Sequence, residues 1–254
     1  MLLNDKTIVV VGAAGLLGQK IVASLINEGA RVVAADISLE ALGPLKEQFS
    51  NEQIATVSID ITDAESINRV FGFAEDTWGG FDGAVNTAYP KNKNYGRHFF
   101  DVTFQDFSEN LSSHLGGYFL FMQQCAAYSK AENRAVSLVN LSSIYGFVAP
   151  RFEVYEDTNM TTPVEYAAIK SALLQLGRYV SAYMKGTEFR VNSVSPGGLL
   201  AGQNESFLEK YSSHCSRKGM LNPEDITGAI NFLLSDQSAY VCGQNIVVDD
   251  GFTI

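Results

Sequence analysis

Thr7-Ile-Val-Val-Val-Gly12-Ala-Ala-Gly15-Leu-Leu-Gly18 runs from a β-branched apolar pentad straight into three regularly spaced glycines. The pentad predicts a buried strand, and the apolar-periodic stretch at 16–28 predicts a helix. Glycines between the two let the backbone turn tightly and approach a diphosphate. The helix start adds free N–H groups and a favourable dipole. Gly12, Gly15, Leu17 and Gly18 are therefore candidate dinucleotide contacts. A second apolar run, 31–35, ends at Asp36. A carboxylate there can accept hydrogen bonds from adenosine ribose hydroxyls and would repel a 2′-phosphate, which favours NAD over NADP. Its other reading, a helix cap, suits Ser38 better.

Outward from this unit the same rhythm repeats. Further strands are predicted at 54–59, 82–86, 136–141, 189–194 and 245–248, and helices at 39–49, 63–78, 104–131, 164–185, 205–216 and 223–234. Asp63 and Pro223 stand where helix starts favour them. The strands are continuous apolar runs, as expected of parallel strands covered on both faces. The pattern predicts an α/β fold, a single doubly wound (Rossmann) domain over 1–254 with a central parallel sheet of about seven strands. Two long loops, 89–103 and 147–163, follow strands directly and are expected to wall a substrate pocket at the strands' carboxyl ends.

Composition narrows the function classes. A 46% apolar and 18% charged chain suits a globular protein with a real core. The formal net charge of -10 disfavours nucleic acid or an anionic membrane as the main partner. Cys125, Cys215 and Cys242 are far apart without CxxC spacing, and His98, His114 and His214 lack zinc-ligand spacing, so no metal site is expected. No signal peptide or membrane span is read, and the expected location is cytoplasmic.

Tyr166-Ala-Ala-Ile-Lys170 lies early in a predicted helix, and a spacing of four puts both side chains on one face. A free phenol titrates at about 10, and a nearby ammonium and an oxidised nicotinamide would both lower it, making Tyr166 a proton-transfer group. The fifth strand ends in Asn140-Leu-Ser142-Ser143-Ile-Tyr-Gly146. A hydroxyl at that carboxyl end can hydrogen-bond a substrate oxygen. Ser143 is the first choice and Ser142 the second.

Taken in order, the Gly12–Gly18 turn, Asp36, Asp60-Ile61, Asn86-Thr-Ala, Ser143, Tyr166/Lys170, Pro196-Gly197 and the closing Gly243-Gln244…Asp249-Asp250-Gly251 resemble the short-chain dehydrogenase/reductase family over nearly the whole chain. The resemblance implies Tyr166 as acid/base, Lys170 as its electrostatic partner on the nicotinamide ribose, and Ser143 as substrate-oxygen donor. It implies Asp60 and Ile61 at the adenine, Asn86 and Ala88 beside the cofactor, and Pro196, Gly197 and Leu199 by the nicotinamide. It also implies a homo-oligomer, dimer or tetramer, built through the 104–131 and 164–185 helices. The segments NKNYGR, HLGGYF, APRFEVYE and GQNIVVDDGF look like the flagellin-modification oxidoreductases within that family. That likeness implies a sugar substrate, phosphorylated or nucleotide-linked, in bacterial surface or flagellar glycan biosynthesis.

The chain also departs from the family pattern. His114 stands where the family has an asparagine that begins a proton relay from the lysine, and its other reading is a packed core histidine. Tyr89 replaces a glycine, Val11 stands for a threonine, and Pro196-Gly197 lacks its following threonine. Lys91, Lys93, Arg97 and His98, with Arg151 in the second loop, form a basic group suited to an anionic substrate, or else a solvated loop. Tyr95, Phe99, Phe152 and Tyr155 interleave with them and could stack on a sugar or base. Besides reversible alcohol–ketone chemistry, two alternatives remain: an NAD-retaining nucleotide-sugar epimerase or dehydratase, and a non-catalytic NAD-binding regulator.

Overall fold

The computed structural model describes all residues, 1–254. Its strands are β1 (Thr7–Val11), β2 (Arg31–Asp36), β3 (Ile54–Ser58), β4 (Gly83–Asn86), β5 (Ser137–Leu141), β6 (Arg190–Pro196) and β7 (Asn245–Val248). They form one parallel seven-stranded sheet in the order β3-β2-β1-β4-β5-β6-β7. The order reverses between β1 and β4, so a crevice opens beyond their carboxyl ends.

Helices α1 (Leu16–Asn27) and α8 (Thr227–Leu234) cover one face, where Ile21, Leu25, Ile230 and Leu233 pack on Val10, Val85, Val139 and Val194. Helices α3 (Ala64–Trp78), α5 (Gly116–Ala131) and α6 (Val164–Tyr183) cover the other, packing Val70, Phe121 and Leu173 on Val9, Ala84, Leu138 and Val191. Neighbouring strand residues thus point into two separate cores, which explains the continuous apolar runs. Asp63 caps α3 by accepting the Glu65 N–H at 2.9 Å, and Ser38 accepts the Ala41 N–H at 3.3 Å. No helix is long and apolar enough to cross a membrane.

Three predicted helices differ in form. The 39–49 stretch is a 3₁₀ turn at Glu40–Leu42 followed by the short α2 (Gly43–Gln48), because Gly43 and Pro44 interrupt the helical hydrogen-bond ladder. The 205–216 stretch is helical only as α7 (Glu205–Ser212). The 104–131 stretch begins as α4 (Phe104–Asn110), widens into a π-helical turn at Leu111–Leu115, and resumes as α5. That widened turn carries His114 into the interior, and π-turns inside α-helices recur at functional sites.

Candidate active site

The glycine turn is shaped by contacts that leave no room for side chains. Gly12 adopts φ +76°, and a Cβ there would lie 2.7 Å from the Thr87 hydroxyl and 2.9 Å from the Ala88 nitrogen. The Thr87 hydroxyl donates to the carbonyls of Val11 at 2.8 Å and Gly12 at 3.1 Å, pinning the turn to the end of β4. Gly15 heads α1 with no side-chain cap, which leaves the first N–H groups of the helix free for an anion. Asp36 accepts the Ala14 N–H at 3.0 Å and the Ser38 N–H at 3.3 Å. Asp60 accepts the Thr62 N–H and hydroxyl at 2.8 and 2.7 Å.

Gly12, Gly15, Asp36, Asp60, Ile61, Thr87, Ala88 and Tyr89 line a groove of about 290 Å³. It fits a dinucleotide's adenosine and diphosphate in three respects: a turn with no room for a Cβ at Gly12, an uncapped helix start, and the carboxylates of Asp36 and Asp60 in its lining. Leu17, Ser143, Tyr166, Lys170, Pro196, Gly197 and Leu199 line a second cavity of about 530 Å³. Thr87 and Tyr89 border both, so the two spaces adjoin.

Three expected contacts lie beneath these surfaces. Gly18 is buried, and a Cβ on it would come 2.1 Å from the Gly12 carbonyl, so its place is in the turn's packing. Asn86 is buried; its Oδ1 accepts the Ala88 N–H at 3.1 Å, and its backbone carbonyl accepts the Tyr118 hydroxyl at 2.9 Å. His114 is fully buried, with ring centroids 5.0 Å from Tyr89 and 5.3 Å from Tyr118.

Around the candidate pair Tyr166 and Lys170, sequence spacing and tertiary structure converge. Tyr166 and Lys170 lie one turn apart on α6, with the Lys170 Nζ 5.5 Å from the Tyr166 ring centre. Lys170 is buried and donates to the Leu141 carbonyl at 2.8 Å. Ser143 begins the turn after β5 and accepts the Tyr145 N–H at 3.2 Å, while the Ser142 hydroxyl points away, donating to the Lys170 carbonyl at 2.9 Å. That contact separates the two serines: the Ser142 hydroxyl is committed to the backbone, whereas the Ser143 hydroxyl faces Tyr166.

The electrostatics of the protein alone add a counterweight to the expected lowering of the phenol. Burial raises the Tyr166 phenol above its ordinary value, and the Ser143 hydroxyl only partly offsets the rise. Burial also lowers the Lys170 ammonium to about 7, so less of its charge is available to hold a phenolate. Without a bound cation the tyrosine is a protonated donor, not a ready base.

His114 is lowered to about 2, first by burial and then by the charge of Lys170, and neither ring nitrogen has a protein partner. Its pKa lies below the unfolded value of 6.5, so below that pH the unfolded chain takes up a proton that folded His114 refuses. Stability is therefore lost as pH falls from 6.5 towards 2, with a penalty of about 2 kcal/mol by about pH 5. His114→Asn should remove this share: its urea midpoint should fall less than that of the native chain between about pH 7 and 5. Equal falls would mean that folded His114 does take up the proton.

The basic loop is neutralised at one of its members. Arg97 pairs with the buried Asp106 at 3.3 Å, an acid supplied by α4. The Asn94 amide and then the Thr103 hydroxyl hold the Asp106 carboxyl below the usual range. Arg151 donates to the Phe252 carbonyl at 3.5 Å. Sequence reading quoted Thr87 within the Asn86-Thr-Ala motif but gave it no role of its own, although a hydroxyl directly after the strand-ending Asn86 was a signal for one. It missed the fully buried Glu165, whose Oε1 accepts from Asn110 at 3.3 Å. No group of His, Cys, Asp or Glu is arranged to hold a metal ion.

A family model described as enoyl-(acyl carrier protein) reductase matches residues 12–253. A flagellin modification protein A from Campylobacter coli is 38% identical over 99% of both chains. The chain belongs to the short-chain dehydrogenase/reductase family. A 3-oxoacyl-[acyl-carrier-protein] reductase of Thermotoga maritima is 29% identical over the full length of both. A short-chain dehydrogenase of Leptospira borgpetersenii, solved with bound NAD+, is 30% identical with a TM-score of 0.87, covering 99% of this chain and 94% of its own. As a short-chain dehydrogenase/reductase the protein is an oxidoreductase, but such relatives bear names as different as flagellin modification and acyl-carrier reduction. Family membership therefore leaves the substrate open.

Proposed function

We propose that the protein is an NAD-dependent oxidoreductase that interconverts a hydroxyl and a keto group on a sugar derivative, phosphorylated or nucleotide-linked, in bacterial surface or flagellar glycan synthesis. The observation carrying this reading is the convergence of Ser143, Tyr166 and Lys170 on one cavity that adjoins the glycine-turn groove. The 38% identity to a flagellin modification protein supports the sugar part.

In this reading Gly12, Gly15 and the start of α1 hold the diphosphate, and Asp36 holds the adenosine ribose. Asp60, Ile61 and Ala88 border the adenine side, while Pro196, Gly197 and Leu199 border the nicotinamide side. Asn86 and Gly18 support the groove from below. The bound nicotinamide supplies hydride acceptance and donation. Ser143 donates a hydrogen bond to the substrate oxygen, and Tyr166 gives that oxygen its proton in reduction or takes it in oxidation. Lys170, fixed by the Leu141 carbonyl, orients the phenol and balances its charge. His114 relays the proton from beside Lys170 as a neutral imidazole, one nitrogen donating and the other accepting.

The same reading makes the enzyme cytoplasmic and homo-oligomeric, with Phe119 of α5 and Tyr179 and Tyr183 of α6 exposed and available to a second copy. The test is NAD reduction across methyl α-D-glucopyranoside, glucose 6-phosphate, UDP-N-acetylglucosamine and their amino and deoxy analogues, followed at the NADH absorbance. Turnover of a phosphorylated or nucleotide-linked member, above the free glycoside, is the expected result. No turnover of any sugar, alongside turnover of a steroid alcohol or a hydroxyacyl thioester, would reject it.

A further inference from the structure

Tyr89 occupies a glycine position of the family pattern, yet its ring is not packed away. It is 43% exposed and borders both the cofactor groove and the larger cavity. Its centroid lies 5.9 Å from that of Tyr166, and the Lys170 Nζ stands 5.8 Å from its ring centre. A Lys91 Nζ lies 5.7 Å from the same ring, although Lys91 does not line the larger cavity.

The ring is held in place from outside the site. The Tyr89 and Tyr95 hydroxyls are 2.7 Å apart, with the rings edge to face at 5.7 Å. Tyr95 belongs to a loop stretch that is braced on α4. There Asn92 donates its backbone N–H to Asn110 at 2.9 Å and its amide to Asp106 and Glu109 at 3.0 Å each. Asn94 donates to Asp106 at 2.7 Å. A hydroxyl pair sharing one hydrogen bond keeps one further hydrogen to donate. Burial raises both phenols well above neutrality, so both remain donors and neither competes with Tyr166 as a base.

We propose that Tyr89 is a specificity-determining substrate contact, with Tyr95 as its positioning residue. The cavity-facing part of the Tyr89 ring packs against the C–H surface of a hydroxylated ring, and the spare hydroxyl hydrogen is donated to a substrate oxygen. This rests on the sugar reading above and goes beyond it by assigning the wall that selects the ring. A glycine at this position would open the cavity towards the cofactor groove and accept substrates with less discrimination.

The experiment compares the native enzyme with Tyr89→Gly, Tyr89→Phe and Tyr95→Phe, using the sugars of the panel. Steady-state constants are measured with NAD, binding of the same sugars to the NADH-loaded enzyme by saturation-transfer NMR, and NADH affinity by fluorescence. Tyr89→Gly should raise the sugar KM about tenfold, a larger change than any in NADH affinity, which can also fall because the ring borders the cofactor groove. Tyr89→Phe and Tyr95→Phe should each raise the sugar KM by about threefold with kcat nearly unchanged, since each removes only a hydroxyl. Tyr95→Phe keeps the ring, so it remains informative if the glycine variant misfolds. An unchanged sugar KM in the phenylalanine variants, or a loss falling on NADH affinity instead, would overturn the assignment while leaving the sugar reading intact. A native enzyme that neither binds nor turns over any sugar of the panel would overturn both.

Discussion

Tyr166→Phe should bind NADH as tightly as the native chain and lose about 10²- to 10⁴-fold in turnover, the range general acid–base groups supply. The substitution removes one oxygen and leaves the groove untouched. Lys170 keeps its bond to the Leu141 carbonyl, and the glycine turn keeps its tie to Thr87. Binding and chemistry should therefore separate cleanly, with the loss in kcat. Lys170→Met should behave differently, weakening cofactor binding as well as turnover, because the same ammonium is assigned to the nicotinamide ribose. Stopped-flow turnover beside a fluorescence titration of NADH measures both quantities. Retention of more than about a tenth of native turnover in Tyr166→Phe would place the proton on another group.

Gly18→Ala should be nearly as damaging by a wholly different route. The added methyl would stand 2.1 Å from the Gly12 carbonyl and 2.7 Å from the Ala13 Cα. Both neighbours are backbone, so no rotamer change relieves the overlap, and the turn must move. Overpacking of this kind costs about 1–3 kcal/mol in stability, and a shift of about 1 Å in a binding turn can cost about 10²-fold in function. Gly15→Ala is the informative contrast. Its methyl would meet only the Gly12 carbonyl, at 3.3 Å, so the folded chain should tolerate it. The methyl would stand in the groove, so NADH affinity should still fall. Urea midpoints and NADH titrations of the two variants distinguish turn packing from cofactor clearance. Native stability and affinity in Gly18→Ala would show that helix and turn are not in close contact.

Much of the architecture is legible in the order of residues alone. The strands at 7–11 and 245–248 fall where the apolar runs predict them; the first is buried along its whole length on both faces, and the second is a partly buried edge strand. The Tyr166–Lys170 spacing sets one helical turn by itself. The illegible part depends on how distant pieces meet. The π-turn at Leu111–Leu115 has no compositional mark within its apolar-periodic stretch. Arg97 reads as a free cation until α4 folds back and brings Asp106 to it. The balance at Tyr166 is equally tertiary: a lysine four residues away suggests a lowered phenol, while the surrounding protein removes enough water to raise it. The two serines after β5 can be ranked by sequence, but only the Ser142 contact to the Lys170 carbonyl gives the physical reason.

The brace between the first loop and α4 has a consequence for how such an enzyme changes over time. Asn92, Asn94 and Arg97 all satisfy themselves within 92–110, chiefly on the single carboxylate of Asp106. The glycine turn, in contrast, is tied to β4 through Thr87. The segment 92–110 thus carries most of its own scaffolding, with outward ties from the Tyr95 hydroxyl to Tyr89 and from Asn110 to Glu165. It can be exchanged or redesigned as one piece while the nucleotide half of the molecule stays as it is, provided that Asp106 travels with it.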